Sequence, residues 1–119
     1  MSEYKLGPVE TRFAELIWQH EPISSSQLAK LAEEAIQWKK STTYTILKRF
    51  CDRGIFENTG GTVRSLISRE QFYALQSEKF VEETFDGSLP AFVAAFGSRR
   101  SLTNEEADEL MKLIESMRR

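Results

Sequence analysis

The sequence predicts a mainly α-helical chain with one small β-hairpin, three helices standing before the hairpin and three after it. Three observations predict this. Apolar residues from Val9 to Phe50 recur at spacings of three and four, the period of amphipathic helices. Two β-prone runs then flank the turn Asn58-Thr59-Gly60-Gly61, the pattern of a hairpin. From Phe72 to Met117 the helical spacing returns.

Gly7-Pro8 punctuates the start, and Val9, Phe13, Leu16 and Ile17 form the first stripe, with Trp18 adjacent. That helix should stop near His20, because Glu21 precedes Pro22 and a residue before proline avoids the α region. One of Ser24, Ser25 and Ser26 is placed to cap a second helix, whose inner face is Leu28, Leu31, Ala32 and Ala35. Trp38 leads into a third helix, which Gly54 should end. The hairpin follows, over residues 55 to 67. Ser68 is placed to cap a helix of about 17 residues ending near Phe85, with Phe72, Leu75, Phe80 and Val81 as its apolar side chains. Asp86-Gly87-Ser88 breaks it. Leu89, Phe92, Val93 and Phe96 then stand at i, i+3, i+4 and i+7. Thr103 and Glu106 form a capping box ahead of Ala107, Leu110, Leu113, Ile114 and Met117.

Three helices and a hairpin within the first 67 residues outline a winged helix-turn-helix. The expected division is a winged-helix domain over 1–69 and a helical dimerisation domain over 70–119. A unit of some 60 residues buries only about 60% of the surface its unfolded chain exposes, so it gains from a partner. The later helices carry more apolar surface than three short helices can bury among themselves. Patches that large mark interfaces, and a symmetric homodimer is the expected use. Its contact residues would be Phe72, Leu89, Phe92, Val93, Phe96, Leu110, Leu113, Ile114 and Met117.

The chain has 119 residues, 40% of them hydrophobic and 29% charged, and a net charge of −2, ordinary values for a folded domain. The charge is unevenly placed. Residues 39–69 hold seven Lys or Arg against Asp52 and Glu57, a local +5, whereas residues 70–119 are −4. A basic block beside an acidic remainder points to an anionic partner at the former. No apolar run approaches the ~18 residues of a membrane span, so no membrane insertion is expected. The polar start MSEYKLGPVE is unlike a signal peptide. Cys51 is the single cysteine, which cannot form an internal disulfide and fits a reducing cytoplasm.

The third helix concentrates the chemistry. "KKSTTYTILKRF", residues 39–50, has four cations and five hydroxyl side chains beside Ile46, Leu47 and Phe50. On a helical wheel Thr43, Ile46, Leu47 and Phe50 share one side. Ser41, Tyr44, Thr45 and Lys48 share the other, with Thr42 and Arg49 at its margins. Lys39 and Lys40 stand at the N-terminal end, where free backbone N–H groups already favour phosphate. Lys and Arg meet phosphates, while Ser, Thr and Tyr reach phosphates or base edges. The expected ligand is double-stranded DNA, with Arg64 of the hairpin reaching the adjacent backbone or minor groove. A basic face that docks an acidic protein is the alternative. Enzymatic chemistry finds no support: His20 and Cys51 make no nucleophile–base pair, no Cys/His cluster matches a metal site, and no cofactor is expected.

These features together resemble the penicillinase-repressor family of winged-helix transcriptional repressors, which includes β-lactamase, methicillin-resistance and copper-responsive repressors. The resemblance rests on "AELIWQHEPISSSQLAKLA" for the first two helices, "WKKSTTYTILKRFCDRGIF" for the third helix and first wing strand, and "FVEETFDGSLPAFVAAF" beyond them. It implies a homodimer that occupies a palindromic operator through the third helix of each subunit. It also implies release by an upstream signal, in one branch a membrane sensor protease acting indirectly, with clipping at the bond corresponding to Ala95–Phe96. The β-lactam repressors carry asparagine where this chain has Ala95. The paired C-terminal cysteines of the copper branch are absent from "LMKLIESMRR". Lys39-Lys40 replaces a common Ser-Pro start, and "VRSLISREQF" replaces a tyrosine-rich wing strand.

Overall fold

The computed structural model describes residues 4–119. Its order is α1 (Pro8–His20), β1 (Ile23–Ser24), α2 (Ser25–Ile36), α3 (Lys40–Asp52), β2 (Phe56–Thr59), β3 (Thr62–Ser65), α4 (Arg69–Phe85), α5 (Leu89–Gly97) and α6 (Asn104–Met117). Among the described residues six helices and a small antiparallel sheet make a winged helix followed by further helices.

Helix ends follow local chemistry. Pro8 opens α1, where its missing N–H costs nothing. Ser24 caps α2, its Oγ accepting from the Gln27 N–H at 3.2 Å. Beyond α3, Gly54 adopts φ +77°, and its N–H donates to the Cys51 carbonyl while that of Ile55 donates to Phe50. This paired closure needs a left-handed residue, which glycine supplies without a Cβ penalty. Ser68 and Gln71 satisfy each other's N–H groups at the start of α4, and Thr103 and Glu106 do so at α6.

The sheet has the order β1-β3-β2. Thr59 pairs Thr62 across Gly60-Gly61, and both glycines have positive φ, as a tight two-residue hairpin turn requires. β1 is a third strand that the expected hairpin lacks. Two residues are too short to show alternation, and β1 exists because Ile23 and Ser24 pair with Val63 and Thr62. In the same register Glu21 stands opposite Ser65, and its side chain continues the ladder. The Glu21 carboxylate accepts from the Ser65 N–H at 2.7 Å and from the Ser65 hydroxyl at 2.7 and 2.8 Å.

The chain forms two compact units, Met1–Lys79 and Phe80–Arg119. The division falls inside α4. The first unit holds the core: Phe13 and Ile17 from α1, Leu28 and Ala32 from α2, Leu47 and Phe50 from α3, Ile55, Phe56 and Val63 from the wing, and Phe72 from α4. Burying a side chain of this size contributes about 1.5–3 kcal/mol. Aromatic rings run through it, with Phe13–Phe50 centroids 5.6 Å apart, Phe50–Phe56 5.7 Å and Trp18–Phe72 5.4 Å. Val9, expected in the α1 stripe, is 43% exposed. In the second unit no described residue is buried.

Candidate nucleic-acid interface

The two sides of α3 separate as the wheel predicts. Thr43, Ile46, Leu47 and Phe50 are buried, and Ser41, Thr42, Tyr44, Thr45, Lys48 and Arg49 are exposed, as are Lys39 and Lys40. The inner row anchors α3 on the core, which leaves the outer row presented along a rigid helix. Lys39 is the N-cap residue and no side chain caps that end, so the first-turn N–H groups remain open to an anion. A shallow open depression lined by Glu33, Gln37, Trp38, Lys39 and Lys40 adjoins it.

The outer row differs in what each group can offer. The Thr45 hydroxyl donates to the Ser41 carbonyl at 2.9 Å, which leaves its lone pairs for a donor such as a base amino group. Lys48 lies 3.9 Å from Asp52, and both side chains are largely exposed. Such an i,i+4 pair contributes a few tenths of a kcal/mol (about 0.3–0.5), so it yields readily to a phosphate. Tyr44 is 36% exposed. On the wing, Arg64 is exposed between buried Val63 and half-buried Ser65, and it pairs across the sheet with Glu57.

Cys51, next to this row, is half-buried. Burial pushes its thiol pKa up, and the nearby Asp52 and Glu57 carboxylates push it further, which disfavours the reactive thiolate. His20 ends α1, exposed, with Nδ1 2.9 Å from the Leu16 carbonyl. Among the described residues no three His, Cys, Asp or Glu side chains cluster as a metal site would need. Among the described residues no helix is long and apolar enough to cross a membrane.

The residues expected at a dimer face divide in two. Leu89, Val93, Phe96, Leu110, Leu113, Ile114 and Met117 are between 41% and 70% exposed, and Phe92 is half-buried among Phe80, Phe85 and Phe96. Phe72 does not belong with them. It is 0% exposed and packs on Trp18, Tyr4 and Tyr73 in the first unit, so its side chain has no surface to give a partner. Ala95 and Phe96 lie in α5 and are exposed, and the Ala95 carbonyl accepts from the Ser98 hydroxyl.

Sequence reasoning missed two carboxylates that shape this surface. Glu21 holds the wing strand next to Arg64, and Glu15 receives Arg69 and Tyr73 from α4. Both interactions join residues more than forty positions apart, and periodicity along one helix carries no sign of them.

Comparison with known proteins places the arrangement. The family model described as Penicillinase repressor matches residues 6–116. The penicillinase repressor of Bacillus licheniformis is 23% identical over 115 residues, which cover 93% of this chain and 90% of that protein.

Proposed function

Because the chain belongs to the penicillinase repressor family, we propose that it is a DNA-binding transcriptional repressor acting as a homodimer on a palindromic operator. Each subunit lays α3 in a major groove, with half-sites about 10 bp apart centre to centre, or a multiple of that. The observation that carries the reading is the division of α3, whose inner row is buried while its hydroxyl-and-cation row is exposed. Lys39, Lys40, Lys48 and Arg49 meet phosphates, Ser41, Thr42, Tyr44 and Thr45 approach base edges, and Arg64 meets the flanking backbone. The joint between subunits is the apolar surface of α5 and α6, which a single chain leaves in water.

Release follows an upstream signal. Clipping at Ala95–Phe96 is one route, and it requires α5 to open first, because a protease takes an extended segment and this bond is helical. Retention of the chain on duplex DNA as salt rises tests the reading. Steep loss supports it, whereas indifference to DNA with retention on an acidic protein would replace it.

A further inference from the structure

One cation lies outside the basic block in sequence yet reaches its edge in the fold. Arg12, on α1, is exposed, and its Nη2 donates to the Ala35 carbonyl in the last turn of α2 at 2.7 Å. The next residue, Phe13, packs its ring on Trp38 with centroids 4.9 Å apart. Trp38 leads directly into Lys39, the N-cap of α3. Two neighbouring side chains of α1 therefore hold the α2–α3 turn, Phe13 from within the core and Arg12 at the surface.

Capping α2 accounts for one N–H of Arg12 and leaves the others. A guanidinium carries five N–H groups in a planar fork, and no carboxylate among the described residues forms an ion pair with this one. The bond to Ala35 orders the group in advance, which lowers the entropy lost on a second contact. Charge balance at the turn shows why a further cation matters. Residues 33–40 carry Glu33, Glu34, Lys39 and Lys40, which cancel, and Glu33 lines the same depression as the two lysines. Arg12 tips that surface positive. Ala35 and Lys39 are four residues apart, so their Cα atoms lie within about 14 Å of each other. Each strand of a duplex presents a phosphate about every 3.4 Å along its axis, so a strand met by Lys39 and Lys40 offers others within that reach.

We propose that Arg12 is a phosphate contact, which extends the DNA surface from α3 across the α2–α3 turn onto α1. This deepens the operator-binding reading and rests on it. The contact is indifferent to sequence, since phosphate contacts position a protein and carry no base information.

The test uses the full chain, a duplex selected by the wild type from a randomised pool, and a random duplex of the same length. Arg12→Ala should keep the wild-type sedimentation mass and helical content, and should weaken binding to both duplexes by about the same factor. Its salt slope should be shallower by about 0.9 per phosphate, close to two for a dimer on both half-sites. The gap between wild type and variant then narrows about tenfold from 50 to 200 mM salt. Arg12→Lys, which keeps the charge and a donor, should retain most of the slope. Single methylphosphonate linkages, each removing one phosphate charge, are then moved along the selected duplex. At one position the wild type should weaken and Arg12→Ala should not. A helix cap alone predicts a lower denaturant midpoint for Arg12→Ala, with the wild-type slope and methylphosphonate pattern. That result overturns the proposal and leaves operator binding intact. An unchanged methylphosphonate pattern overturns it even if the slope falls, because loss of net charge would then explain the slope. If Arg12→Ala loses helical content, Arg12→Gln takes its place with the same outcomes. A wild type that selects no duplex overturns operator binding itself.

Discussion

Phe72 shows how one side chain changes roles when its surroundings are known. Its spacing with Leu75 and Phe80 marks only an apolar helix face, and periodicity does not say what covers that face. The structure covers it with Tyr4, Trp18 and Tyr73. Phe72→Ala should therefore lower the unfolding free energy of the first unit by about 3–5 kcal/mol, read as a lower denaturant midpoint. A loss below about 0.5 kcal/mol, typical of a surface position, would place Phe72 outside the core. Thr43 makes the complementary point. The wheel puts a polar residue on the buried side of α3, and there it is, 0% exposed, with its hydroxyl lacking a partner.

Helices were legible because each carries its own signals. Stripes, caps and stops at Pro8, Ser24, Gly54, Ser68 and Thr103 are read within a few residues of where they act. β1 was not legible, because a two-residue strand is made by its partner β3 rather than by its own pattern. The outward row of α3 was legible for a similar reason to the helices: thirteen residues of one helix settle their own faces. Glu15 and Glu21 were not, since only the fold brings their partners to them. The start of α6 yields a pH prediction. The Glu106 carboxyl sits below its ordinary pKa, chiefly because it accepts from the Thr103 N–H, with Arg100 adding to the effect. A folded-state pKa below the unfolded one stabilises the helix above the ordinary carboxylate value, and that stabilisation fades as pH falls through the folded value. Helical signal from α6 residues should fray first at Thr103–Glu106 on acidification, and Glu106→Gln should blunt that dependence. Equal pH response in the variant would remove Glu106 as the cause.

Taken as one chain, the protein has two halves with opposite needs. Residues 4–79 bury a continuous core, whereas the helices beyond leave Leu110, Met111, Leu113, Ile114 and Met117 in water. In the proposed homodimer a second copy covers that surface, so Leu113→Glu together with Ile114→Glu should convert a dimer to a monomer in sedimentation, with the winged helix still folded. A wild type that sediments as a monomer at every concentration would remove the joint. The charge blocks fit the proposed function, since a basic block at residues 39–69 attracts an anionic duplex and the acidic remainder repels it. That division is tested by measuring binding of the full chain to duplex DNA between 50 and 200 mM salt, for the wild type and for Lys48→Ala with Arg49→Ala. If each dimer neutralises about six to ten phosphates, affinity falls about 10³–10⁵-fold across that range. In the double variant the slope should be shallower, by about one for each phosphate it no longer neutralises. A shallow wild-type response, or a double variant indistinguishable from wild type, would take α3 off the DNA.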